Sequence, residues 1–122
     1  MGEKTILVVE DNPDNLKLVS WILEDEDFNI VAAETGEDGL AALEQHNIDL
    51  VLMDISLPGI DGKEASRRIR DNPDLAGLPI IALTAHAIQG EKEAILAAGV
   101  NDLLTKPLDE DQLLNSIHSL IG

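Results

Sequence analysis

The chain has 122 residues, 44% of them hydrophobic, which suits one domain with an ordinary apolar core and excludes a disordered acidic tail. Twenty-four acidic against eight basic residues give a formal net charge of −16, so direct binding to nucleic acid or to an anionic membrane is not expected. Cysteine is absent, which excludes disulfides, thiolate nucleophiles and sulfur-ligated metals.

Thr5–Val9 predicts a first strand, apolar enough to be buried on both faces. Its apolar run is too short for a signal peptide or a membrane span, and a cytoplasmic location is expected. Asn12 and Pro13 open a helix, the first as cap and the second at the position where a missing N–H is harmless. Leu16, Val19, Ile22 and Leu23 recur along it at helical spacing. Asn29–Ala33 is the second strand, with a helix from about Gly36 to Gln45. Ile48–Met53 is the third strand, and Asp61 with Glu64 starts a helix running to about Arg70. Ile80–Leu83 is the fourth strand, and a helix over roughly Gly90–Ala98 ends at Gly99. Asn101–Leu104 is a short fifth strand, and the last helix begins near Asp109.

Strands alternating with helices predict an α/β fold: a doubly wound, five-stranded parallel sheet of the flavodoxin-like type, strand order 2-1-3-4-5, with helices on both faces. No linker, repeat or low-complexity segment is visible. One domain over residues 1–122 is expected, without an output domain.

Ligands of such sheets bind beyond the carboxyl ends of the strands. The residues found there are Glu10 and Asp11 after the first strand, Asp54 after the third, Thr84 after the fourth and Lys106 after the fifth. Taken alone, Glu10-Asp11 would also read as an acidic loop end facing solvent. Three carboxylates in one crevice repel unless protonated or neutralised, and oxygen donors of this kind suit Mg²⁺, with Mn²⁺ able to substitute. Asp11 and Asp54 are expected to bind the cation through side-chain oxygens, Glu10 through water, and Ser56 through its carbonyl. Asp54 then reads as a nucleophile towards phosphorus, with the cation and Lys106 neutralising the oxygens of the transferred group. Lys106 could instead serve as a salt-bridge partner of Asp54. The isomer of the Lys106–Pro107 bond is left open. Thr84, beside a phosphorylated Asp54, gains a strong acceptor and becomes one half of a switch.

The segments ILVVEDNPDN, LVLMDISLPGIDG, PIIALTA and the pair Lys106-Pro107 together resemble the receiver domains of bacterial two-component response regulators, over Thr5 to about Leu120. The wording of MDISLPGIDG and LTAHAI is most similar to single-domain regulators and to receiver modules of hybrid sensor kinases. The resemblance implies that Asp54 is the phosphoacceptor, that Glu10 and Asp11 form the Mg²⁺-binding acidic pair, and that Thr84 and Lys106 are the family's hydroxyl and lysine. It implies a phosphohistidine donor, either a histidine kinase or a histidine phosphotransfer protein, docking near Asn15, Leu16, Leu18 and Pro107. A downstream protein target is also implied, for a chain that is monomeric or weakly dimeric.

Where the family often carries an aromatic switch residue on the fifth strand, this chain has Leu103. Ser56 and His86 stand where the family varies the groups that set hydrolysis of the phosphoryl group, and slow self-dephosphorylation is expected. The chain is therefore not expected to be an enzyme beyond its own phosphorylation and dephosphorylation. A phosphatase of the aspartate-nucleophile class would want a second acid soon after Asp54, and the next is Asp61. The alternative is a receiver-shaped interaction module that works without phosphorylation. Lys63, Arg67 and Arg70 share a side of the third helix and read as a solvated face. His46 and His118 read as surface residues, and Trp21 is expected to pack at an edge of the first helix, with a partner surface as the alternative for its indole.

Overall fold

The computed structural model describes residues 3–85 and 89–121. In chain order the strands are β1 (Thr5–Val9), β2 (Asn29–Ala33), β3 (Leu50–Asp54), β4 (Ile80–Thr84) and β5 (Asp102–Thr105). The helices are α1 (Pro13–Asp25), α2 (Gly36–Gln45), α3 (Gly62–Asp71), α4 (Gln89–Ala97) and α5 (Glu110–Ile121), with a short 3₁₀ turn at Pro73–Leu75. All strand pairs are parallel and the order is β2-β1-β3-β4-β5, the doubly wound flavodoxin-like arrangement expected from the alternation.

The sheet divides the core in two. Leu7, Val9, Val51, Met53 and Ala82 face one apolar layer with Ala65 and Ile69 of α3. Ile6, Val8, Leu50, Leu52 and Leu83 face the other, with Val19 and Leu23 of α1 and Leu113 and Ile117 of α5. This alternation along fully apolar strands explains why β1 and β3 show no polar face in the sequence.

Local chemistry sets the helix starts. Asn12 Oδ1 accepts from the amides of Asp14 (2.9 Å) and Asn15 (3.2 Å). Thr35 Oγ1 accepts from Asp38 at 3.0 Å, Asp61 Oδ1 from Glu64 at 2.9 Å, and Asp109 Oδ1 from Gln112 at 3.1 Å. Gly99, at φ +103°, follows α4 in the left-handed conformation expected of it.

Several elements differ from the sequence reading. β3 begins at Leu50 and extends to Asp54, because Asp49 instead turns its carboxylate to the amide of Thr5 (2.7 Å). β5 starts one residue late, because the side-chain oxygen of Asn101 accepts from the amide of Ile80 (2.9 Å). The 3₁₀ turn is an addition to the predicted elements; Asn72-Pro73 repeats the Asn-Pro signature that opens α1, and Asn72 caps it the same way.

The basic side of α3 is not a uniform solvated face. Lys63 pairs with Glu91 of α4 at 3.3 Å, and Arg67 and Arg68 both turn to Glu64. Arg70 is half-buried and donates to the carbonyls of Gly99 (2.8 Å), Leu78 (2.7 Å) and Ala76 (3.2 Å) and to Asn101 Oδ1 (2.7 Å). Trp21 does not pack at an edge; it is 72% exposed. His46 and His118 are exposed, the latter 3.6 Å from Glu26.

Candidate functional site

Parallel strands bring their carboxyl ends to one edge of the sheet. The register pairs Val9 with Met53, Asp54 with Leu83, and Thr84 with Thr105. Glu10, Asp54, Thr84 and Lys106 therefore converge, as their positions after the apolar runs predict.

Glu10 and Asp54 are almost wholly buried, at 1% and 2% exposure, whereas Asp11 lies in the open. Oxygens of all three carboxylates fall within 4.8 Å of one another. The Lys106 ammonium stands 3.0 Å from Glu10 Oε1 and 3.2 Å from Asp54 Oδ1, so it bridges both carboxylates rather than serving Asp54 alone. Its backbone N–H donates to the carbonyl of Thr84 (2.8 Å), which ties the lysine to the end of β4. The Lys106–Pro107 peptide is cis. The amide of Ser56 donates to Asp54 Oδ1 (3.1 Å), and the amide of Asn12 to Glu10 Oε2 (3.2 Å).

The electrostatics follow from this crowding. Burial pushes the Glu10 carboxyl up from 4.5 to about 7, and a hydrogen bond shared with Asp54 adds to the rise; Lys106 and the Asn12 amide only partly oppose it. Burial also works against the charged form of Lys106, but the hydrogen bond to Glu10 and the charge of Asp54 outweigh it, and its pKa is raised. Oxygen ligands only, two of them buried and one open to solvent, fit a hard divalent cation, which would relieve the conflict that otherwise holds a proton on Glu10.

A pH dependence follows. Between about 4.5 and about 7 the folded chain keeps a proton on Glu10 that the unfolded chain releases. This contribution to stability is complete below the unfolded value and is lost as pH rises through about 7, the reverse of an ordinary ion-paired carboxylate. In chelator, urea unfolding of the wild type should therefore show a stability decrement of about 2 kcal/mol between pH 5.5 and 8 that Glu10→Gln lacks. Because proton and cation compete, Mg²⁺ affinity should weaken towards about tenfold per pH unit as pH falls below the Glu10 transition. Identical profiles for wild type and Glu10→Gln would refute both statements.

Thr84 is buried, 2% exposed, at the end of β4. Leu103 is half-buried and packs against the core layer that holds Ala82, its partner in the β4–β5 register. It lies on the same pleat as Thr84 and Thr105, and the position expected to act as a switch carries an aliphatic side chain here. Ser56 is exposed beside Asp54, and His86 lies outside the described residues. Among the expected partner contacts, Leu18 is 40% exposed and Pro107 is exposed, and Asn15 is half-buried. Leu16 is half-buried like Asn15 and packs against the core layer of α1.

Two glycines of the LVLMDISLPGIDG segment support the site through contacts that the sequence alone does not show. Gly62 begins α3 directly against the backbone of Asp54 and Ile55, with its amide on the Ile55 carbonyl (3.1 Å). Gly59, at φ +74°, sets its backbone against the Glu37 carboxylate of α2. The loop that follows Asp54 is thus held from both sides.

Among the described residues no helix is long and apolar enough to cross a membrane. A family profile described as the response regulator receiver domain matches residues 6–118. The sensor protein GacS of Pseudomonas syringae pv. syringae is 47% identical over 120 residues, a match that covers 96% of this chain but only 13% of that protein. The polar-differentiation response regulator DivK of Brucella ovis is 33% identical over 119 residues, 98% of this chain and 97% of that protein. Among solved structures, the receiver domain of sensor histidine kinase PA1611 from Pseudomonas aeruginosa PAO1 superposes with a TM-score of 0.92 at 37% identity. The match covers 99% of both chains, and that structure holds a magnesium ion in its active-site cleft. With its fold and nearly all of its length matched, the chain belongs to the receiver domain family of two-component response regulators.

Proposed function

We propose that residues 1–122 form one phosphoacceptor domain that takes a phosphoryl group from a phosphohistidine donor onto Asp54. The observation that carries this reading is the bridge of Lys106 between Glu10 and Asp54, 3.0 and 3.2 Å away, with the exposed carboxylate of Asp11 alongside. Glu10, Asp11 and Asp54, with the carbonyl of Ser56, would hold Mg²⁺, or Mn²⁺ in its place; the cation supplies positive charge for phosphoryl oxygens. An Asp54 oxygen attacks phosphorus as the donor's N–P bond breaks, the electron pair returns to the imidazole nitrogen, and an acyl phosphate forms. Lys106 is placed to accompany the transferred oxygens from Asp54 outward. Thr84 and Leu103 register the new charge and change the affinity of a downstream protein target, which is the regulatory output.

The donor is a histidine kinase or a histidine phosphotransfer protein, met by Asn15, Leu16, Leu18 and Pro107 around the crevice. Ser56 and His86 govern access of the hydrolytic water and favour a long-lived phosphoryl group. The chain acts in the cytoplasm, as a monomer or weak dimer, and turns over no separate substrate.

Intact mass measured after incubation with Mg²⁺ and a small acyl phosphate or phosphoramidate tests the proposal. One phosphoryl group is expected on the wild type, released by base and hydroxylamine, and none on Asp54→Ala. No added mass on the wild type, with Mg²⁺ bound, would replace the proposal with a binding module that works without phosphorylation.

A further inference from the structure

Glu10 and Asp11 follow β1, whereas Asp54 and Ser56 lie where β3 gives way to its loop. A cation held from both sides therefore depends on how far apart these two segments are kept. Residues 33–37 touch both. The carbonyl of Ala33 accepts from the amide of Glu10 at 3.0 Å, which ties the first segment to the end of β2. Thr35 Oγ1 accepts from Asp38 and so fixes where α2 starts. Gly36 and Glu37, in the first turn of α2, then meet the second segment.

A Cβ on Gly36 would lie 2.7 Å from Cγ1 of Ile60 and 3.0 Å from the Ile60 carbonyl oxygen. Gly36 is buried and has no positive φ, so space and not backbone conformation calls for glycine there. Ile60 is β-branched and half-buried, so its Cγ1 does not swing clear freely, and the carbonyl is main chain. Next to it, a Cβ on Gly59 would lie 2.8 Å from the Glu37 carboxylate. The loop after Asp54 is closed at its base by the Gly62 amide on the Ile55 carbonyl, and Leu57 is buried. Ser56, Pro58 and Gly59 are exposed, and α2 is the support behind the middle of the loop.

We infer that residues 33–37 act as a spacer between the two acid-bearing segments, and that Gly36 is a positioning residue for the cation site. This rests on the cation reading proposed above and adds what sets the width of that site. A methyl group at Gly36 pushes Ile60 off α2, and the loop carries the displacement to Ser56, four residues away.

In the test, Mg²⁺ is titrated into the full chain and followed by NMR at the amides of Asn12 and Ser56, which bond to Glu10 and Asp54. Thermal unfolding is read on the same proteins. Gly36→Ala should weaken Mg²⁺ binding by about tenfold, the loss typical of residues that orient metal ligands from behind. Gly77→Ala, where a methyl group would have nothing within 4 Å, should bind as the wild type does. Gly36→Ala combined with Ile60→Ala should recover most of the lost affinity, because the closest overlap is gone. It should do so although Ile60→Ala removes an apolar side chain packed on the core and lowers the melting temperature. Gly59→Ala loads the same contact from the loop side and should weaken Mg²⁺ likewise; it decides the matter should Gly36→Ala not fold. Unchanged affinity in these single variants would overturn the inference. So would a loss that Ile60→Ala does not repair, or one that only tracks the melting temperature, which would make Gly36 a packing residue. A wild type that binds no Mg²⁺ would overturn the cation reading and the spacer with it. A wild type that binds Mg²⁺ no better than Gly36→Ala would overturn the spacer alone.

Discussion

Gly62→Ala is expected to destabilise the protein by about 4 kcal/mol or more and to lower its melting temperature by roughly 15 °C. Helix propensity alone predicts the opposite, because alanine is favoured over glycine within a helix by about 1 kcal/mol. The deciding effect is space. A Cβ at Gly62 would sit 2.2 Å from the carbonyl oxygen of Asp54 and 2.8 Å from the Cα of Ile55. Both are main-chain atoms of a buried strand end and cannot rotate away, so the start of α3 must lift from the sheet. That lift strains the hydrogen bond from Gly62 to Ile55 and uncovers Ala65 and Ile69, both 0% exposed. Phosphoryl uptake at Asp54 should fall with it, since the displaced backbone is its own. Gly90 on α4 is the control: a methyl group added there would have nothing within 4 Å, and replacement by alanine should be neutral or slightly stabilising. Urea and thermal unfolding of the two variants decide the matter; a loss below about 1 kcal/mol for Gly62→Ala would show that α3 yields easily.

Lys106→Ala is expected to slow phosphorylation by a small donor by about 100-fold or more, on the order of 3 kcal/mol of transition-state stabilisation. The ammonium reaches both Glu10 and Asp54, and no other cationic side chain is paired with either carboxylate among the described residues. Removing it leaves two buried carboxyl groups without their shared counter-ion, so without a divalent cation the variant also loses stability. Mg²⁺ affinity should move the other way or hold constant, because an ammonium that competes for the same oxygens is gone. Arginine should not restore the rate, since its planar fork is bulkier and cannot occupy the point between two carboxylates. Stopped-flow phosphorylation read beside Mg²⁺ titration separates the two effects. A rate within about tenfold of wild type would remove Lys106 from the chemistry.

The fold was legible because its signals are local. Apolar runs of strand length, Asn12-Pro13 at a helix start and Gly99 at a helix end each act over a few residues, and the structure carries each one. The crevice was legible for a related reason: parallel strands place every residue that follows an apolar run at one edge. What stayed hidden depends on distant partners. That Glu10 is buried beside Lys106 follows from how two loops close over each other, and no spacing in the chain encodes it. Gly62 looks like a weak helix start until the strand 2.2 Å from its absent side chain is known. Asn101 reads as strand until its side chain takes the amide of Ile80. Arg70 and Trp21 have the opposite exposures to those their types and positions suggest, because one finds a cluster of carbonyls and the other finds nothing to cover it.

Arg70 also has a mechanical consequence. Its guanidinium binds Leu78, just before β4, and Gly99 and Asn101, just before β5, so one rigid planar group fixes where both strands begin. Thr84 and Lys106 lie where the same two strands end. A pull on those ends would be resisted along the strands by this anchor, so a small shift beside Asp54 would favour a tilt of β4 and β5 about the amino edge.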